Sequence, residues 1–167
     1  MKKLTITILI ACIAMVFTGC KKENSKFDLD SVQGKATLSG LVYYNPGYNL
    51  NASGNPELKN NAAVSGKTVY INLKKDGNVI KTYQATTNSA GKFSIQLPAS
   101  DNIVFQADAY VNYSGTFDNA KLTTAWVIYQ QTGVYKGNAT TVSLKPNNEH
   151  VVTIKANFTD NSDIPAI

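Results

Sequence analysis

Short runs in which apolar and polar residues alternate constrain the fold of this chain more than any other feature of the sequence. In residues 67–74, for example, Val69, Ile71 and Leu73 fall on one face of an extended chain. The runs end at turn-forming residues such as Gly, Asn, Asp and Pro, and no convincing apolar stripe of helical period occurs after residue 34. Alternation with a period of two, punctuated by turn residues, predicts an all-β domain.

The alternating runs predict seven strands arranged in two layers. Strands this short and closely spaced indicate a single, approximately seven-stranded antiparallel β-sandwich over residues 34–159. Asp76-Gly77 predicts a type I′ hairpin turn, because both residues tolerate a positive φ. The predicted strands are residues 36–44, 67–74, 79–86, 92–97, 103–111, 122–130 and 151–158, with a short piece at 142–144. The expected core residues are Phe93, Ile95, Trp126, Ile154 and Phe158.

The first twenty residues have the organisation of a bacterial export signal. Met1-Lys2-Lys3 is positively charged, and residues 4–17 form an uncharged, mostly apolar run. A membrane-spanning helix needs roughly 20 such residues, so this run is short for one. The next residues, Phe17-Thr18-Gly19-Cys20, resemble the lipobox of bacterial lipoproteins. The resemblance implies cleavage before Cys20 and attachment of lipid to its thiol.

This resemblance sets the expected organisation of the chain and its location. We expect a signal peptide at residues 1–19, a flexible tether at 20–33 and a C-terminal tail at 160–167. Lysines rather than Asp follow the cysteine, which by resemblance to bacterial lipoproteins implies lipid anchoring in the outer membrane, with the domain facing the periplasm or the cell surface. Cys12 lies in the signal segment, so no internal disulfide is expected.

Two groups of residues in the domain resemble those of carboxypeptidase regulatory-like domains. They are Gly40-Leu41-Val42 with residues 69–73, and residues 86–95, where a strand ends in Thr, a turn requires Gly91 and Phe93 enters the core. The resemblance covers roughly residues 36–111. It implies a transthyretin-like (prealbumin-like) seven-stranded sandwich. It also implies a non-catalytic structural or binding module of the kind found in lipoproteins of the Bacteroidetes type.

Candidate catalytic and metal-binding residues are few. His150 is the only histidine, arginine is absent and no G-x-S-x-G motif occurs. The spacing of His, Cys and Asp fits no zinc or calcium motif. We therefore predict no metal site, no cofactor and no enzymatic activity. The 16 basic residues are dispersed lysines, which disfavours a nucleic-acid partner because arginine is the usual reader of phosphates and guanine.

Tyrosines and one modification motif supply the candidate site residues. Aromatic rings flanked by Asn and Gln amides suit sugars, whose C–H faces stack on rings while their hydroxyls bond amides. The long segment 45–66, rich in Asn and Gly, is predicted to be irregular. Asp30-Ser31-Val32 resembles the O-glycosylation site of some Gram-negative bacteria, so Ser31 is a candidate for modification. The candidate ligand-binding residues are Tyr43, Tyr44, Tyr48, Tyr110 and Tyr113.

Two non-catalytic functions remain open from the sequence, and an enzyme that uses His150 is a third reading, which the scarcity of candidate residues disfavours. The first is a non-catalytic, membrane-anchored module for binding or assembly at the cell envelope, accessory to glycan or nutrient uptake. Its partners would be the membrane and a glycan or an outer-membrane protein complex. The alternative is a structural adhesin or pilus-like subunit that assembles by adding a strand to an open sheet edge.

Overall fold

Residues 27–160 are described by the structure, a computed structural model, and they contain eleven strands and one short 3₁₀ turn at Leu29–Ser31. The predicted signal peptide, Cys20 and residues 161–167 lie outside the described residues. The prediction of an all-β domain is confirmed. The strands are β1 (Lys35–Tyr44), β2 (Tyr48–Leu50), β3 (Pro56–Leu58), β4 (Ala62–Ala63), β5 (Thr68–Lys75), β6 (Asn78–Thr86), β7 (Lys92–Pro98), β8 (Phe105–Leu122), β9 (Trp126–Asn138), β10 (Val142–Leu144) and β11 (Glu149–Asp160).

Nine of the strands form one mixed sheet that curls over its own core. Its order is β4-β1-β11-β9-β8-β5-β6, with β7 also along β1 and β10 along β8, while β2 and β3 form a separate hairpin. Strand β11 joins the two halves of this sheet, one made of β1, β4 and β7 and the other of β9, β8, β10, β5 and β6. Its first part lies parallel to β1, and its last four residues pair antiparallel with β9. The two halves therefore face each other in two layers that meet along β11.

The predicted strands are present, but their number, two of their ranges and one of their directions differ from the prediction. Each of the seven predicted runs overlaps one of the seven longest strands, β8 and β9 extend well beyond the predicted ends, and four strands of two or three residues accompany them. The expectation of a wholly antiparallel sandwich is wrong for β1 and β11, which pair in parallel from Thr37↔Glu149 to Tyr44↔Ala156. Parallel pairing requires only a long connection between the strands, and here most of the domain lies between them.

The core lies between the two halves and follows the alternation of the sequence. Phe93 and Ile154 are buried as predicted, and Ile95 and Phe158 are half-buried against the core. The prediction for Trp126 is wrong, because this residue begins β9 at the far end of a two-stranded ribbon and is not part of the core. The other large buried side chains include Leu38, Val42, Val69, Ile71, Leu73, Leu97, Phe105, Val111 and Tyr135.

The hairpin between β5 and β6 has the predicted turn. Asp76 and Gly77 both have positive φ, at 51° and 78°. Positive φ at both central residues defines the type I′ turn, whose twist matches that of the flanking strands. The Asp-Gly pair was therefore a sufficient signal for this hairpin.

The described part of the predicted tether, residues 27–33, contacts the domain. The Phe27 ring lies 5.8 Å from the Phe105 ring, and the Lys75 amine lies 5.4 Å from the centre of the Phe27 ring. Leu29 and Val32 pack against the core. Packing of three apolar side chains therefore holds this segment on the domain from Phe27 onward.

Candidate functional site

The candidate site lies at the end of the domain where β8 and β9 extend as a ribbon. Strand β8 was predicted to end at residue 111 but continues to Leu122, and it pairs with β9 from Tyr110↔Asn138 to Leu122↔Trp126. The pairing of β8 with β5 ends at Val111. Beyond that residue, β9 is the one described strand that pairs with β8. The ribbon bears Tyr113, Phe117 and Tyr135. Phe117 and Tyr135 contact rings of neighbouring segments, and Tyr113 stacks on Tyr135.

Six aromatic rings form one connected cluster beneath the ribbon. Tyr135 is at its centre, 1% exposed, and its ring lies 5.0 Å from Tyr44, 5.4 Å from Tyr113 and 5.2 Å from Phe158. Phe117 stacks on Phe158 at 5.0 Å. Tyr48 meets Phe117 edge-on at 6.1 Å. These separations lie in the favourable range for aromatic pairs, so the cluster holds β1, β8, β9 and β11 together at this end.

Two glycines of the ribbon make room for these rings. Gly115 and Gly133 lie directly opposite each other in β8 and β9. A Cβ atom at Gly115 would come within 3.0 Å of the Tyr135 ring, and one at Gly133 within 2.5 Å of the Phe158 ring. The absence of a side chain at these positions therefore lets the Tyr135 and Phe158 rings approach the ribbon backbone closely.

The segment 45–66 is folded rather than irregular, which corrects the prediction. It contains the β2–β3 hairpin and β4, and it is fastened to the ribbon by an ion pair between Lys59 and Asp118 and by a bridge between Gly47 and Asp118. The Asn45 side chain donates to the Lys59 carbonyl at 2.6 Å and accepts from the Gly47 N–H at 2.8 Å. Asparagine side chains thus replace missing backbone partners, which is the reason that an Asn-rich segment can fold.

A cleft of about 350 Å³ opens between this segment and the ribbon. Three of its lining residues, Tyr44, Tyr113 and Tyr135, belong to the aromatic cluster, and Lys67 lies with its amine 5.4 Å from the centre of the Tyr113 ring. That separation permits a cation–π contact. The other lining residues are small or carry hydroxyl groups: Ala63, Val64, Ser65, Ser114, Gly115 and Thr116.

The two phenol groups of the cleft differ in their hydrogen bonding. The Tyr135 hydroxyl lies 3.0 Å from the Thr116 carbonyl oxygen and 3.2 Å from that of Asn45. The Tyr113 hydroxyl is buried and has no hydrogen-bond partner within residues 27–160. A buried polar group without a partner is costly, so the Tyr113 hydroxyl is a feature that packing alone does not explain.

Both phenols stay protonated at physiological pH. Burial raises the pKa of Tyr113 well above its ordinary value, and the nearby Tyr135 and Tyr44 phenols act in the same direction. Burial, with smaller contributions from Tyr44 and Asp118, raises the pKa of Tyr135 to about 12. The Tyr113 hydroxyl is therefore an available O–H donor rather than a titrating acid.

The structure brings three of the five predicted tyrosines together and separates the other two. Tyr44, Tyr48 and Tyr113 belong to the aromatic cluster, and Tyr44 and Tyr113 also line the cleft. Tyr43 lies on the opposite face of β1, where it lines a different cleft. Tyr110 lies on the outer face of β8 and stacks on Tyr70 at 5.3 Å.

Sequence reasoning missed the central residue of the cluster. Tyr135 was placed in no predicted strand, because the sixth strand was expected to end at residue 130. The alternation of Gly133, Tyr135 and Gly137 with Val134 and Lys136 was the available signal. It was weak because two of the three inward positions are glycines.

Of the remaining residues considered in the sequence, Ser31 and His150 have hydrogen-bond partners, and Cys20 lies outside the described residues. Ser31 is exposed, and its hydroxyl donates to the Asp28 carbonyl at 2.7 Å. His150 is half-buried in β11, where its Nε2 accepts from the Lys145 N–H at 3.1 Å. Glycosylation of Ser31 and lipidation of Cys20 stay predictions.

Two carboxylates of β8, one on the ribbon and one outside it, are paired with lysines. Asp118 pairs with Lys59, and Asp108 pairs with Lys74 and accepts from the Thr141 hydroxyl at 2.5 Å. Burial alone would raise the pKa of Asp108, but the bonds from Lys74 and Thr141 and the charge of Lys74 lower it. Across residues 27–160, no group of three or more His, Cys, Asp or Glu side chains could hold a metal ion.

None of the helical residues between 27 and 160 forms a segment of the length and hydropathy needed to span a bilayer.

Comparison with known proteins found no matching family model and no matching curated protein. Among solved structures, the chain is similar to the major pollen allergen of plantain, with a TM-score of 0.36 and 21% identity over 80% of this chain and 99% of that one. It is also similar to a protein of Pseudomonas aeruginosa that is provisionally named a carbohydrate binding protein. That match has a TM-score of 0.33 and 14% identity, and it covers 74% of this chain and 92% of the other.

Proposed function

We propose that this protein is a non-catalytic binding module of the bacterial cell envelope that takes a neutral carbohydrate in the cleft between the ribbon and the segment 45–66. The observation that carries the proposal is the Tyr113 hydroxyl, which is buried beside this cleft without a partner. A hydroxyl-rich ligand entering the cleft would supply the missing acceptor. The cost of leaving this donor unpaired in the free protein would then be recovered on binding.

The composition of the cleft supports a sugar over other small ligands. The half-buried Tyr44 and Tyr113 rings in its lining offer apolar surface to the C–H groups of a sugar, and Ser65, Ser114 and Thr116 supply hydroxyl and backbone groups for hydrogen bonds. Pockets for small molecules combine an apolar lining with a few convergent polar groups in this way. A volume of about 350 Å³ lies at the small end of the usual range, which suits one or two sugar units.

The predicted fold family remains part of the proposal. We propose that the domain is a transthyretin-like sandwich of the carboxypeptidase regulatory-like kind. In support, the strand–turn–strand of residues 86–95 forms as that resemblance implies: Asn88 caps the turn by accepting from Ala90 and Lys92, and Gly91 has a φ of 73°. Phe93 then enters the core.

Membrane anchoring through Cys20 is the second part of the proposal, and it rests on the sequence. Labelled fatty acid should be incorporated into the wild-type chain and into a Cys12→Ala variant, and a Cys20→Ala variant should incorporate none. The two variants remove the same side chain eight positions apart, so they separate lipidation from general effects on export. Equal labelling of the Cys20→Ala variant would contradict the anchoring.

The rival function, assembly by strand addition, requires an open apolar sheet edge. Strand β6 ends the order of the described sheet, and Val79 and Ile80 in it are 51% and 36% exposed. However, Lys81 follows on this edge, and the register with β5 shifts between Leu73 and Lys74. A lysine and an irregular register are features that protect an edge from pairing, so we favour ligand binding.

The binding proposal is tested by removing a single hydroxyl group. We expect Tyr113→Phe to lower affinity about tenfold for the best ligand from an array of neutral cello-, xylo-, manno- and malto-oligosaccharides, measured by calorimetry on the full chain. The same change should leave the midpoint of thermal unfolding equal or higher, because it removes an unpaired buried hydroxyl.

Tyr110→Phe is the matched control, since Tyr110 lies on the same strand but faces away from the cleft. Its affinity for the same oligosaccharide should stay within twofold of wild type. The proposal is overturned if no neutral glycan is retained, or if both substitutions have the same effect on binding.

A further inference from the structure

We infer that the outer face of the sheet carries a second binding site, selective for acidic saccharides, in the cleft where β11 separates from β9. This cleft has a volume of about 600 Å³. It is distinct from the cleft of the aromatic cluster and shares no lining residue with it. Its side chains come from Tyr43, Lys136, Asn138, Thr153, Lys155 and Asn157.

The cleft is a consequence of the change of partner along β11. From Asn157 onward β11 pairs with β9, whereas up to Ala156 it pairs with β1. Tyr43 lies opposite Lys155, and Asn157 lies opposite Lys136. Residues directly opposite in neighbouring strands share a face, so the three strands place these four side chains around one fork in the sheet.

The charge of this cleft is positive, and neither of its two lysines belongs to an ion pair within residues 27–160. Lys136 and Lys155 are both exposed, and its lining contains no Asp or Glu. The ion pairs found within residues 27–160 use Lys59, Lys74 and Lys75 instead. Two ammonium groups beside one cleft therefore favour an anionic ligand.

The other lining groups indicate a saccharide as the carrier of that anion. The half-buried Tyr43 ring offers a stacking face, and the amides of Asn138 and Asn157 and the hydroxyl of Thr153 can bond sugar hydroxyls. Apart from Tyr43 the lining has no large apolar side chain to insert into a bilayer. A sugar bearing a carboxylate thus matches the cleft better than an anionic lipid surface does.

The test uses polygalacturonate as the probe and the full chain as the receptor. We expect Lys136→Gln and Lys155→Gln each to weaken binding about fivefold, and the double variant at least tenfold, in a titration at fixed salt. Lys121→Gln is the matched control, because it removes the same charge from an exposed residue near the tip of the ribbon. Its affinity should change less than twofold.

Several outcomes would overturn the inference. They are no binding of polygalacturonate, equal losses in the Lys121→Gln control and the cleft variants, and binding of phosphatidylglycerol vesicles with polygalacturonate left free. The Tyr113→Phe variant should bind polygalacturonate as wild type does. Failure of this second site and failure of the neutral-glycan site are therefore separate results.

Discussion

Replacement of Phe93 by alanine should lower the free energy of unfolding by about 3–5 kcal/mol, the usual cost of truncating a large buried aromatic residue. Phe93 is 4% exposed and lies opposite Gly40 in the pairing of β7 with β1. A Cβ atom at Gly40 would come within 2.6 Å of the Phe93 ring, so the ring covers the glycine backbone directly. With alanine at position 93, no side chain from position 40 can fill the space, and a cavity remains.

The measurement is a denaturant titration of the full chain, with Val151→Ala as the control. Val151 lies in the same half of the sheet but is 72% exposed, so its truncation should change the free energy of unfolding by no more than about 0.5 kcal/mol. A loss below about 1 kcal/mol for Phe93→Ala would mean that the Phe93 ring is not packed in the core against Gly40.

Substitution of Gly91 by alanine should destabilise the domain more than the same substitution at Gly77, although the two glycines have similar φ values of 73° and 78°. An alanine with positive φ costs about 1–2 kcal/mol, and this cost applies at both sites. At Gly77 no atom lies within 4 Å of the added Cβ, whereas at Gly91 the Val42 carbonyl oxygen would lie 2.4 Å away. The local strain needed to relieve that overlap should lower the free energy of unfolding of the Gly91→Ala variant by about 1–3 kcal/mol more.

The position of Gly91 explains why the overlap cannot easily be relieved. The Gly91 carbonyl accepts from the Val42 N–H at 2.8 Å, and the Val42 carbonyl accepts from the Val64 N–H at 3.0 Å. The turn, the end of β1 and the segment before β5 are thus joined by backbone bonds. Denaturant titrations of both variants measure the difference, and equal losses would show that backbone conformation alone accounts for the effect.

The candidate site was only partly predictable, and the reason lies in strand geometry. Tyr43 and Tyr44 are adjacent in the sequence, so a strand must direct them to opposite faces. The same alternation separates Tyr110 from Tyr113. Grouping the tyrosines by proximity in the sequence therefore joined Tyr43, which lines one cleft, with Tyr44 and Tyr113, which line another.

The segment 45–66 shows a second limit. Its composition of Asn, Gly and Pro correctly indicated turns, but whether such a segment folds depends on the surface beside it. Here that surface is the ribbon, through Asp118 and Phe117. The ribbon reaches this segment because β8 continues to Leu122, past its expected end at residue 111.

The sequence by itself determined the places of the seven long strands, the turns at Asp76-Gly77 and at Gly91, and part of the core, because side-chain alternation and turn conformation act over a few residues. Only the tertiary structure decided that β11 pairs first with β1 and then with β9, and that six rings meet around Tyr135. These features depend on contacts between residues far apart in the sequence, such as Tyr43 and Lys155, which are separated by 112 positions. No local pattern specifies which of several compatible strands pairs with a given strand. Both clefts therefore form only when the whole sheet has assembled and curled over its core.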